Sequence, residues 1–271
     1  MRSTTAFQSA ILGSILVVCL AAESANAQNP LSVVRTWSSG TAYCMPAGRW
    51  EIGLFQPLRW GAGETLELST HPLAFFLVPN LEVKWLHRSG RDFTISSRHS
   101  MYYPTPLLRT ITRKGIGGII SPEFHIPHMV SVYNEVLVSR SVASSIVLTA
   151  KAGFCIAFKS GNLDERTTID LPVVFPRLYV FYRGYGLRTG FNAFGKLFKR
   201  WTGSMDVDFF YYPGAEQKMA FEHQGRVVWC KNSRFKMFAG YQLSYGEYPF
   251  GTQWHLLAPL LDLQWGWNGR K

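Results

Sequence analysis

The side chains in this sequence best equipped for chemistry recur two residues apart. Glu67, Ser69 and His71 have that spacing, and an extended strand places such residues on one face. A hydroxyl nucleophile needs an adjacent base oriented by a third group, and this trio holds one of each kind. Side chains two apart on a strand start about 7 Å from each other, too far for proton transfer without a bend. Polar lining of an enclosed interior is therefore the better reading of Glu67, Ser69 and His71. Asp206 and Asp208 also share a face and could divide general acid and base roles. Arg188, Lys196 and Lys236 supply counter-charges, so salt-bridged pairs are favoured over catalysis. His125 and His128 flank Pro127. No histidine pair has the H-E-x-x-H spacing, no G-x-S-x-G elbow is present and the cysteines match no zinc motif. The sequence implies no metal, no cofactor and no assigned catalytic residue.

The element that must position these groups is clearest at Ser145–Ser160. Ile146, Leu148, Ala150, Ala152, Phe154, Ile156 and Phe158 are all apolar on one parity. Val147, Thr149, Lys151, Gly153, Cys155, Ala157 and Lys159 occupy the other. This is a strand with a wholly apolar face and a mixed face, long enough to cross a bilayer at a tilt.

Composition agrees. Aromatic residues make up 15% of the 271 residues and charged residues only 17%, below the usual quarter for a soluble domain. Mean hydropathy is near zero, as expected where apolar and polar residues alternate. Arg2, the apolar Ile11–Ala22 and the A-x-A site Ala25-Asn26-Ala27 read as a cleaved export signal. No later run is long enough for a helical span. The formal charge of +11 would suggest nucleic acid in a cytosolic protein. On an exported chain the expected partners are outer-membrane lipid, lipopolysaccharide and small anionic solutes, with no nucleic acid. Cys44, Cys155 and Cys230 allow at most one disulfide in the mature chain. Inward parity permits a Cys155–Cys230 pair.

Alternation continues along the chain. It is read here as one strand over Arg49–Leu58, then at Leu66/Leu68, Leu81–Trp85, from Phe93, at Val130–Val138, Leu178–Tyr182, Phe191–Leu197, Met205–Tyr211, Phe221–Cys230, Phe235–Tyr245 and Leu261–Trp267. The Ala74–Val78 run is apolar throughout and has no orientation from parity. Gly184-Tyr185-Gly186 reads as a hairpin signal. Pro104–Pro127, with its four prolines, is favoured as a plain loop, with an inward-folded constriction or a short helix as the alternatives. The fold expected is an all-β transmembrane antiparallel barrel of about twelve strands, with about ten as the runner-up. Its organisation is signal peptide 1–27, periplasmic lead-in 28–48, barrel 49–267 and polar tail 268–271. One difficulty follows from this register. The long connections Pro104–Pro127 and Gly161–Pro172 fall at the periplasmic end, where turns should be short, so a strand is missing before them or they fold inward.

Inward parity collects a net-basic network of Glu51, Glu67, Glu82, Lys84, Lys151, Arg183, Arg188, Lys196, Asp206, Asp208, Arg226, Lys236 and Asp262. Buried charges must pair or meet water, and the excess of cations favours anions. Trp50, Trp85, Trp201, Trp229, Trp265 and Trp267 fall where aromatic girdles meet headgroups.

The last strand resembles the terminal segment of outer-membrane barrels, although Asn268-Gly269-Arg270-Lys271 follows its final aromatic. The tracts W-E-I-G-L-F-Q-P-L-R-W (50–60), L-S-T-H-P-L-A-F-F-L-V-P-N-L (68–81), I-D-L-P-V-V-F-P-R-L (169–178) and G-Y-G-L-R-T-G-F-N (184–192) are similar to uncharacterised outer-membrane β-barrels of Bacteroidota-type bacteria. That resemblance implies the barrel fold and no activity. The leading functional reading is a small pore or structural barrel with a polar net-basic lumen. The rivals are a membrane-embedded lipid or lipopolysaccharide hydrolase and a secreted soluble β-sandwich that binds a ligand.

Overall fold

The computed structural model describes residues 36–90, 92–114, 120–143, 145–164, 167, 177–214, 219–248 and 251–269. The signal peptide, residues 28–35 of the lead-in, the Gly115–Gly118 run, most of the 169–178 tract and the last two residues lie outside them. The strands are β1 (Arg49–Gly53), β2 (Leu58–Gly61), β3 (Leu66–Thr70), β4 (Asn80–Ser89), β5 (Thr94–Tyr102), β6 (Met129–Ala143), β7 (Ile146–Lys159), β8 (Tyr185–Phe198), β9 (Trp201–Tyr211), β10 (Met219–Cys230), β11 (Phe235–Tyr248) and β12 (Gly251–Asn268). Each pairs antiparallel with the next, and β1 pairs with β12, closing a twelve-stranded barrel. Short helices α1 (Pro72–Phe75), α2 (Thr105–Ile111) and α3 (Val180–Arg183) lie in the connections.

Alternation sets the orientation of the wall. On β7, Val147, Thr149, Lys151 and Cys155 are buried, while Ala150, Ala152, Phe154, Ile156 and Phe158 are exposed. A sheet with polar residues inside and apolar residues outside inverts a soluble protein. That arrangement is stable where hydrocarbon is the solvent and the sheet closes on itself, giving each strand a neighbour on both sides over at least part of its length. The sheet closes on itself rather than against a second one, so the soluble sandwich is set aside.

Aromatic belts mark the two ends. Near the end that holds Arg49 and Asn268, Trp50 stacks on Trp60 with centroids 5.2 Å apart. Phe198 meets Trp201, and Phe235 meets both Trp229 and Trp265. At the opposite end Tyr245 meets Trp254 at 4.7 Å.

Several sequence expectations need correction. Arg49–Leu58 is not one strand: the chain turns over Leu54–Pro57 and returns as β2. Gly53 sits where a Cβ would come 2.7 Å from Asp262 Oδ2, so its bare backbone lets that turn close. Leu178–Tyr182 is not a strand. Its residues enter α3, which ends at Gly184 with φ +84°, and β8 begins directly at Tyr185 rather than after a hairpin. In Pro104–Pro127 the short-helix alternative replaces the favoured plain loop: it holds α2, with proline in the first turn, where no amide hydrogen is needed. The Ala74–Val78 run begins within α1. β12 starts at Gly251, well before Leu261. Cys44, Cys155 and Cys230 are all free thiols, so the Cys155–Cys230 pair does not form.

Recognising β2 removes the difficulty of the long connections. With that strand in place, β5–β6 and β7–β8 connect at the end opposite the termini, and short turns share the end with the termini. Both long connections also fold inward, where Leu108, Ile126, Leu163 and Phe181 are buried.

Candidate functional site

The closed sheet surrounds a lumen, and the inward residues of the strands furnish it. A first charged cluster spans β1 to β4. Glu51 receives Arg49 Nε at 3.0 Å and Arg59 Nη1 at 2.8 Å. Glu67 receives Arg59 Nη2 at 2.5 Å and Lys84 Nζ at 3.2 Å. A second cluster crosses β4 to β9. Arg98 pairs with Glu135 and lies 3.9 Å from Glu82. Arg188 reaches Asp208 at 2.6 Å and Glu135 at 3.5 Å. Lys151 bridges Asp206 at 2.5 Å and Asp208 at 2.8 Å. Charges removed from water are retained only when compensated in this way.

The lead-in enters this space from the end holding the termini. Trp37, Ser38, Thr41, Ala42 and Met45 are buried. The amide of Ala42 donates to Ser139 Oγ at 2.8 Å, and that of Met45 to Glu67 Oε2 at 3.0 Å. Arg59 donates to Ser38 Oγ at 2.8 Å. The Trp37 ring lies between two cations of the wall, 4.9 Å from Arg49 and 4.4 Å from Lys236. Such contacts are worth up to about 2 kcal/mol when desolvated.

At the opposite end the lumen turns apolar. Tyr133 of β6, Cys155 of β7 and Phe210 of β9 pack with Leu108, Ile120 and Ile126 from one long connection and Leu178–Phe181 from the other. Arg177 is buried beside this layer, donating to Glu222 and Ser244 at 3.2 and 3.1 Å. Between layer and lead-in lies a cavity of about 330 Å³ beside Trp37, lined by as many carboxylates as cations, Asp206, Asp208 and Glu222 standing with Lys151, Arg226 and Lys236 among them. A second cavity of about 340 Å³ lies by the terminal end, where Lys196, Lys199, Arg200 and Lys231 meet Trp37. No carboxylate lines it among the described residues.

Most of the residues expected from parity are thus brought together. Glu51, Glu67, Glu82, Lys84, Lys151, Arg188, Asp206 and Asp208 join the two clusters. Lys196, Arg226 and Lys236 face the cavities with no ion-pair partner among the described residues. Asp262 accepts the amides of Leu54 and Phe55 at 2.8 and 3.2 Å, pinning the β1–β2 turn. Arg183 does not belong: it is exposed in the last turn of α3, because the segment assigned to a strand is helical. Arg49, Arg59, Arg98, Glu135, Arg177 and Glu222 are members that were missed. Parity alone places Glu135 with Ser131 and Ser139, and Arg98 follows from β5. Arg59 was hidden with β2.

The trio of Glu67, Ser69 and His71 is not assembled. Glu67 is committed to Arg59 and Lys84, Ser69 Oγ lies 3.4 Å from Glu82, and His71 Nε2 contacts the Phe55 carbonyl oxygen at 2.8 Å. Asp206 and Asp208 share Lys151, as counter-charges rather than as an acid and a base.

No family model matches the chain, and no curated protein matches it. The Bacteroidota-type family expected from sequence is therefore not assigned. Among solved structures the chain is similar to a KdgM porin in complex with disordered oligogalacturonate, at 9% identity over 80% of this chain and 94% of that one, with a TM-score of 0.39. It is also similar to OmpT, an outer membrane protein of Vibrio cholerae, at 7% identity over 78% of this chain and 64% of that one, with a TM-score of 0.39. A bacterial polysaccharide outer membrane secretin aligns at 9% identity over 82% of this chain and 70% of that one, with a TM-score of 0.41.

Proposed function

We propose that this chain is a bacterial outer-membrane barrel that admits small anionic solutes through a lumen closed by its own lead-in at the end holding the termini and narrowed at the other end by the apolar layer. The observation that carries this reading is the placement of Trp37 between Arg49 and Lys236, beside a vestibule of Lys196, Lys199, Arg200 and Lys231. An aromatic side chain seated on wall cations both blocks the path and occupies the charges an anion would use. Its displacement would expose Lys236 and connect the vestibule to the inner cavity. Unpaired cations at a constriction favour anions in the permeating stream. Support for the membrane setting comes from the apolar exterior, the aromatic belts and the gathering of short turns with the termini. Lipid and lipopolysaccharide are the partners of the outer face.

The test is a reversal potential. A chain lacking residues 36–45, reconstituted in a planar bilayer under a potassium chloride gradient, is expected to conduct with preference for chloride. Cation preference, or no conductance from a folded barrel, would overturn the reading. Substituting Lys236→Gln and Arg226→Gln in that variant should move the potential toward non-selectivity.

A further inference from the structure

The barrel wall is uneven in height. A strand needs about 9–11 residues to cross the hydrocarbon at the usual tilt. β11 has 14 residues and β12 has 18, but β1, β2 and β3 have only 5, 4 and 5. β1 pairs with β12 only from Gln264 to Asn268. Above that point the side of β12 turned away from β11 has no strand partner among the described residues, over a stretch that includes His255–Leu261. A free strand edge is not tolerated in lipid unless something protects it. Pro259, which has no amide hydrogen to leave unpaired, lies within this stretch.

From Leu256 to Leu261 the residues along this edge are apolar on both faces, and His255 just before them is in register with Ser244. Leu256 and Leu261 point outward, in register with Leu243 and Ala239 of β11. Leu257 and Leu260 point inward, in register with Gln242 and Gly240. Elsewhere on the inner face of β12 stand Asp262 and Gln264, both buried. Inward leucines therefore occur where the wall is low. The turn and loop that top the low wall carry Leu54, Phe55, Leu73 and Phe76, all exposed.

Behind the gap lies the inner cavity, whose lining includes Gln56 of the β1–β2 turn, Gln264 and Arg226. Arg226 is in register with Gly240, which is in register with Leu260. Gly240 puts no side chain between them: a Cβ there would lie 3.0 Å from Arg226 Cγ. Arg226 donates to Gln224 at 2.6 Å and lies over Phe238, with no carboxylate at ion-pair distance among the described residues. Asp262, nearby on β12, is engaged by the β1–β2 turn.

We propose that the gap between the β12 edge and the low β1–β3 wall is a lateral portal for a long-chain fatty carboxylate. The chain lies along Leu257 and Leu260, in continuity with the bilayer, and the carboxylate reaches Arg226. This rests on the membrane-barrel reading but not on conduction through the lumen. A single acyl chain fits the apolar character of the gap, and a single anionic head fits one guanidinium that has no carboxylate at ion-pair distance among the described residues.

The test uses the full chain folded in phosphatidylcholine vesicles, with a palmitate analogue carrying a diazirine near the carboxylate. Labelling is expected on the inner wall near Arg226 and Leu260, competed by palmitate and not by hexadecanol or acetate. Arg226→Gln should weaken competition by palmitate about tenfold, the loss of one charge-assisted contact. Leu257→Trp together with Leu260→Trp should block labelling while Arg226 remains. Labelling spread evenly around the outer face, or equal competition by hexadecanol, would overturn the portal and leave only ordinary lipid contact. Protease protection and heat-modifiable gel mobility, read on every variant, separate these outcomes from failure of the barrel itself. A chain that does not insert refutes the membrane reading, whereas an inserted chain without inner-wall labelling refutes the portal alone.

Discussion

The ammonium of Lys236 lies 4.4 Å from the centroid of the Trp37 indole, joining a strand of the wall to the segment that enters the lumen. Lys236 is in register with Gln264 of β12, whose neighbour Trp265 faces the outer aromatic belt. The contact therefore ties the plug to the region where the barrel closes.

Arg59 is the cation on which the first cluster depends, because it serves Glu51 and Glu67 together. Arg59→Met should destabilise the folded barrel by about 2–3 kcal/mol, since two buried carboxylates each lose one of their two cations while Arg49 and Lys84 remain. Arg183→Met, on an exposed turn, should change stability by less than about 0.5 kcal/mol. Urea unfolding in vesicles, followed by tryptophan fluorescence, checks both.

The exterior is tested at Ala152, exposed near the middle of β7. Ala152→Arg puts a charge on the lipid face and should cost about 2–4 kcal/mol if that site is near the bilayer midplane. An equally stable variant in the same unfolding experiment would argue that this face meets water.

Gly61 lies against the lead-in, and a Cβ there would collide with the Pro46 carbonyl oxygen. Gly61→Ala should therefore loosen the lead-in without altering a lumen charge. Higher conductance with unchanged ion preference is the expected result in bilayer recordings.

Cys44 reports on the same segment by its chemistry. Burial pushes its thiol above the ordinary range, only partly opposed by the nearby Lys84 ammonium. At a given pH it then holds less reactive thiolate than a free thiol. In a background of Cys155→Ser and Cys230→Ser, maleimide should react more slowly with the folded chain than with the urea-unfolded one. The folded rate should still be rising at a pH where the unfolded rate has levelled. Identical pH profiles would place Cys44 in open solvent.

Where period-two alternation runs long, as on β7 and β11, it gives orientation and, with it, the lumen cations Lys151 and Lys236 directly. It fails where elements are short or wholly buried. Leu58–Gly61 is too brief to show a period, which concealed β2 and, with it, Arg59. Leu178, Val180 and Tyr182 alternate by chance: Val180 and Phe181 are both buried in the apolar layer, so no face distinguishes helix from strand. The apolar stretch around Leu256–Leu261 has no alternation because both faces are apolar, and its strand character shows only through pairing with β11. The lead-in shows no periodicity, since its hold on the lumen comes from backbone amides, the Ser38 hydroxyl and one indole ring.

Single-channel conductance of the intact chain against the chain lacking residues 36–45 tests the central claim most directly. The account predicts that the intact barrel stays closed for most of the recording and that the shortened one opens steadily. Equal, sustained conductance from both would contradict it.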